Sequence, residues 1–153
     1  KNQVVAFSEE NAPTYGVFDF HSENPDWKLL AQLSGFTEAS GAREKNSDNL
    51  LAGASLQWKG DDIKRVTINS NNEPVVGVAE DIIDRERIEL VAASLGKTTV
   101  MSTLGVGLEN KGHYEGTMED LELVIPAFQG NPNTTYTGTI TWTLQSPVIT
   151  KGE

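Results

Sequence analysis

Apolar and polar positions alternate with period two in several short stretches of the chain, most clearly near its C-terminal end. There Tyr136, Gly138, Ile140, Trp142 and Leu144 fall on one face, and Thr137, Thr139, Thr141 and Thr143 on the other. Successive side chains of a strand point to opposite faces, and aromatic and β-branched residues suit a pleated surface, so this stretch predicts a strand. Pro147 marks its end, and Gly130-Asn131-Pro132-Asn133 writes the turn before it. Residues 50–58 read the same way: Leu50, Ala52, Ala54, Leu56 and Trp58 oppose Gly53, Ser55 and Gln57, and Gly60-Asp61-Asp62 closes the run. Trp27, Leu29, Ala31 and Leu33 alternate with Lys28, Leu30, Gln32 and Ser34. Leu121, Leu123 and Ile125 alternate with Glu122 and Val124 as far as Pro126. Weaker strand patterns cover residues 4–7, 15–20, 64–68, 74–78, 91–94 and 98–104, while 38–49, 69–72 and 108–117 are rich in turn formers.

Many short strands with turn signals between them predict an all-β chain, an antiparallel β-sandwich of immunoglobulin-like kind, in a single domain spanning residues 1–153. One stretch departs from this pattern. In residues 80–90, Ile82, Ile83 and Leu90 lie among charges, which reads either as a short amphipathic helical excursion or as irregular chain.

The pattern Trp-x-Leu occurs twice, as Trp27-Lys28-Leu29 and as Trp142-Thr143-Leu144. In a strand it places an aromatic and an aliphatic side chain on one face. The alternation of Trp27 and Trp142 in phase with Leu and Ile favours a core role for both, with the two ends of the chain feeding one core. Trp58 shares the apolar face of its own strand but neighbours Lys59-Gly60, which suggests a rim position. Aromatic residues on a β-sandwich can also form platforms for sugar rings. The threonine face of the last strand (Thr137, Thr139, Thr141, Thr143) is a second candidate contact surface, or simply a solvated outer face.

Composition narrows the chemistry. The chain has 153 residues, a net charge of −10 and no cysteine. Disulfides, thiolate metal sites and cysteine nucleophiles are therefore excluded. The negative charge argues against nucleic acid or an anionic lipid surface as partner. No apolar run is long enough to insert in a membrane. With no initial Met and no signal-like apolar stretch, the sequence reads as a processed chain without its targeting segment. His21 and His113 lack metal-ligand spacing and read as surface or loop residues. Gly105-Val106-Gly107 is an isolated Gly-x-Gly, better read as a bulge or turn than as a phosphate cradle. Acidic pairs such as Glu9-Glu10, Asp61-Asp62, Glu80-Asp81 and Glu119-Asp120 arise by composition alone among 22 acidic residues. Asn46-Ser47-Asp48-Asn49 and Asp61-Asp62 offer oxygen donors without a spaced calcium-loop pattern. No catalytic residue, metal site or cofactor is predicted, and the chain is not expected to be an enzyme.

The stretch from Asp26-Trp27-Lys28-Leu29 through Gly35-Phe36 resembles the proximal motif of the WxL domain family. Leu51-Ala52-Gly53-Ala54-Ser55-Leu56 resembles another of the family's strands. Leu121-Glu122-Leu123-Val124-Ile125-Pro126, followed by residues 136–144 and Pro147, is similar to its distal motif. The order and spacing of these motifs hold from about residue 4 to residue 147, with the charged stretch 79–90 lying outside the resemblance. The resemblance implies a secreted β-sandwich held non-covalently on the wall of a Gram-positive bacterium. The implied partners are peptidoglycan or another wall polymer, and companion cell-surface proteins. Some members take part in surface complexes or adhesion. On this reading Trp27, Leu29, Trp142 and Leu144 are the family motif, serving in binding or in the core. The alternative is a carbohydrate-binding module, or an adhesin subunit for host or matrix ligands.

Overall fold

A computed structural model describes residues 1–7, 10, 12–19, 26–38, 50–79, 82, 84–103, 112–127, 129–130 and 133–145. The predicted turns and motifs at 39–49, 104–111, 131–132 and 146–153, with His21, Glu9 and Glu80-Asp81, lie outside them. The described residues form an all-β sandwich of antiparallel sheets, with no α-helix. The strands are β1 (Gln3–Ala6), β2 (Thr14–Asp19), β3 (Lys28–Leu33), β4 (Thr37–Glu38), β5 (Ser55–Gly60), β6 (Ile63–Ile68), β7 (Pro74–Val78), β8 (Arg85–Val91), β9 (Thr98–Ser102), β10 (Gly112–Thr117), β11 (Glu119–Ile125), β12 (Tyr136–Thr137) and β13 (Ile140–Gln145).

Two four-stranded sheets, ordered β1-β11-β5-β8 and β2-β10-β6-β7, are joined by a three-stranded sheet β13-β3-β9 and the short pair β12-β4. Their inward faces share one apolar cluster, which includes Trp27, Trp58, Tyr114, Leu51, Ile88, Leu90, Val100 and Met101. The first and last motifs meet because β13 pairs with β3: Leu144 lies opposite Leu29, and Trp142 opposite Ala31.

Several expectations are corrected. Residues 80–90 hold no helix among those described; they lead into strand β8, whose Ile88 and Leu90 point inward while Arg87 and Glu89 point out. Two inward apolar residues at spacing two suffice for a strand, and the charges occupy its solvated face. Residues 91–94 are mostly turn: Ala93 takes a left-handed backbone with φ 59°, and its N–H donates to Leu33 O at 3.1 Å. The strand foreseen from Leu50 starts only at Ser55, because Gly53 (φ 81°) turns the chain and buries Leu51 while exposing Ala52. Residues 136–144 are not one strand. They break at Gly138–Thr139, where Ser34 Oγ accepts from the Thr139 N–H and the Ser34 N–H donates to Thr139 O, each at 2.9 Å. Gly138 is required there, since a Cβ would fall 2.9 Å from the Phe36 ring.

Strand β10 occupies a stretch read as loop. It has one large apolar residue, Tyr114, yet it sits inside its sheet between β2 and β6. The turn at 69–72 is as expected: Asn69 Oδ1 accepts the N–H groups of Asn71 and Glu73 at 2.9 Å each, and Asn72 supplies the left-handed residue.

Candidate functional site

The two Trp-x-Leu motifs have different surroundings. Trp27 is fully buried, with its ring 5.4 Å from that of Tyr114. Its N–H donates to Thr103 Oγ1 at 2.9 Å, and its carbonyl accepts from the Thr103 N–H at 3.0 Å, which extends the β3–β9 pairing. Leu29 is buried as well. Both side chains of this motif belong to the core.

Trp142 is 37% exposed and Leu144 44% exposed, although both belong to the apolar face of β13. The cause is topology. Among the described residues strand β13 is the edge of its sheet, bonded to β3 alone, so this face reaches past the rim of the core. Trp142 is held by stacking on Tyr15, with ring centroids 5.0 Å apart and planes at 17°. Tyr15 is itself buried on β2, the edge strand of another sheet. Its position is fixed from two sides. The Trp58 Nε1–H donates to its hydroxyl at 3.4 Å, with the two rings edge to face at 6.1 Å. Behind it lies Gly116 of β10, where a Cβ would come within 2.5 Å of Tyr15 Cζ. A glycine inside β10 thus makes room for the ring that supports Trp142.

Trp58 is completely buried, so the expected rim position is corrected. Its neighbours Lys59 and Gly60 continue β5, and the ring points inward in an aromatic triad with Tyr15 and with Trp142, whose ring centroid lies 6.5 Å away. Thr137, Thr139 and Thr141 are exposed and Thr143 is half-buried, opposite Leu30.

Thr14, Tyr15, Gly16, Leu29 and Trp142 line a groove of about 330 Å³ between the edges of β2 and β13. Among the described residues, none that is charged at neutral pH lines it. Burial pushes the Tyr15 phenol above its ordinary value near 10; the bond from Trp58 works against this, and Asp62 and Asp84 add to it. Tyr15 is therefore neutral throughout the physiological range. Burial, reinforced by Asp61, also raises the Asp84 carboxyl. Among the described residues no cluster of His, Asp or Glu could hold a metal ion. No helix among them is long and apolar enough to cross a membrane.

Sequence reasoning missed Tyr15 and Gly16, and the signal available was thin: Thr14-Tyr15-Gly16-Val17 alternates only weakly. It also missed the outer face of the β2-β10-β6-β7 sheet. There Phe18 (63% exposed) stacks on His113 at 3.9 Å, in line with Val66 and Val76 across four strands. His113 is a strand residue, half-buried beneath Phe18.

The model of a family described as WxL domain surface cell wall-binding matches residues 1–147. The chain belongs to the WxL family. That family is one of cell-wall-binding surface domains rather than of catalysts, and the chain is accordingly a surface module associated with the cell wall. No curated protein and no solved structure matches it. The WxL motifs that name the family here occupy two environments, one inside the core and one at an open edge.

Proposed function

We propose that this WxL chain is a non-catalytic, single-domain module that holds a surface protein on the wall through its open β2/β13 edge. The observation that carries this reading is Trp142, an indole left more than one-third exposed while a buried tyrosine pins its orientation. A large aromatic group that is both exposed and pre-positioned costs little conformational entropy on binding. The groove beside it, uncharged among the described residues, and the neighbouring exposed Leu144 complete an apolar contact strip. The main wall partner on this reading is peptidoglycan or another wall polymer.

A companion surface protein is a second partner, favoured by a separate observation. In the β13–β3 ladder the backbone of Thr139 bonds to Ser34. Antiparallel pairing alternates, so the N–H and C=O groups of Ile140, Trp142 and Leu144 turn toward the open side. An extended segment of another protein could pair there as an added strand.

The test is co-sedimentation of the protein with purified, protein-free cell walls, for wild type and for Trp142→Ala. Wild type in the pellet, with a folded Trp142→Ala left in the supernatant, is the expected result. Equal sedimentation of the two would place wall contact elsewhere.

A further inference from the structure

We propose that the groove beside Trp142 is a subsite for an uncharged pyranose ring of a wall glycan, its C–H face laid on the indole. This inference rests on the wall-binding reading and names the ligand chemistry of the same site. Walls offer three chemistries: sugar rings, short stem peptides and anionic phosphate polymers. The groove discriminates among them. Among the described residues its lining is Thr14, Tyr15, Gly16, Leu29 and Trp142, with no cation to pair a phosphate or a carboxylate, and the whole chain carries −10. An anionic polymer would meet repulsion with no compensating contact. Stem peptides carry charged termini and side chains that would likewise find no partner there.

A sugar ring fits what is present. One face of a pyranose is a patch of C–H groups, weakly positive, and the face of an indole is weakly negative. The ring's hydroxyl and amide edge needs a few donors and acceptors. Thr14 and Trp142, both among the lining residues, carry a hydroxyl and an indole N–H respectively. At about 330 Å³ the groove lies at the small end of ligand clefts, suited to one or two rings of a chain that continues along the open edge. Because Tyr15 is buried and bonded, Trp142 need not reorganise when a ring lands on it.

Two experiments separate this inference from the wall-binding reading. First, N-acetylglucosamine tetramer is titrated into the whole protein while tryptophan emission and NMR amide shifts are followed, for wild type, Trp142→Ala and Thr14→Ala. The expected result is saturable change in wild type, weakened at least tenfold in Trp142→Ala and severalfold in Thr14→Ala, with all three folded by circular dichroism. No saturable change up to the solubility limit of the tetramer overturns the sugar inference. Second, the tetramer, free stem peptides and poly(glycerol phosphate) compete in the sedimentation assay. Displacement by the tetramer alone supports the inference. Trp142-dependent sedimentation that only stem peptides or the phosphate polymer relieve overturns it, while leaving the wall-binding reading intact. Sedimentation that does not depend on Trp142 defeats that reading itself.

Discussion

The first Trp-x-Leu motif and the second have the same spelling and opposite surroundings. Trp27 and Leu29 sit on or beside a strand bonded on both sides, and both are buried. Trp142 and Leu144 sit on the partner strand one step outward and are 37% and 44% exposed. A strand in the middle of a sheet has its apolar face covered by the facing layer, whereas an edge strand can carry the same face beyond it. The difference between the motifs is therefore one of sheet order: the first lies within the core, and the second is the one left at the surface, where the proposed reading puts wall contact.

The largest expected effect breaks this comparison on the structural side. Trp27→Ala removes a fully buried indole and should cost about 3–5 kcal/mol, enough to unfold a marginal domain, as read by chemical denaturation. Trp58→Ala should behave the same way, since that ring is equally buried. Next comes the support of the stack. Gly116→Ala forces a Cβ against Tyr15 and should cost about 1–3 kcal/mol by overpacking. It should also displace Trp142 and weaken wall binding, although residue 116 lies outside the groove lining.

Trp142→Ala should cost only about 1–2 kcal/mol, from a stacked and partly buried ring, while abolishing sedimentation with walls. A loss of stability as large as that of Trp27→Ala would erase the distinction between the motifs. Tyr15→Phe sharpens it further. It leaves the Trp58 N–H without its acceptor, for about 1 kcal/mol. It should also change the response to alkali. The Tyr15 phenol titrates above its ordinary value in the fold, so the unfolded chain releases this proton first. Its contribution is complete below about pH 10 and is lost as pH rises through the folded-state value. Wild type should therefore lose melting temperature faster than Tyr15→Phe above that pH. Leu144→Ala should have the smallest effect, under about 1 kcal/mol, with a partial loss of binding.

Much of the fold was legible as period-two alternation. The strands at 74–78 and 121–125 and the turn at 69–72 follow directly from side-chain pattern and turn chemistry. Strand β10 was not legible because its two inward positions are Tyr114 and Gly116, and a glycine gives no apolar signal even where its small size is what packing requires. Strand β8 was obscured by charges on its outer face. At the candidate site, Trp142 and Leu144 could be named from the sequence but their exposure could not. Alternation tells which residues share a face; it does not tell whether a strand ends up central or at an edge. Trp58 shows the converse error: charge in its neighbour Lys59 says nothing about the opposite face of the strand.

The most direct measurement is ¹⁹F NMR of the protein carrying fluorotryptophan at its three tryptophans, assigned by single Trp→Phe variants, in the presence of a soluble gadolinium chelate. The resonance of Trp142 should broaden strongly, and those of Trp27 and Trp58 should stay sharp; on adding soluble wall fragments, Trp142 should shift and regain its protection. Equal protection of all three tryptophans, or a fragment-induced shift confined to Trp27, would contradict the division of labour between the two motifs.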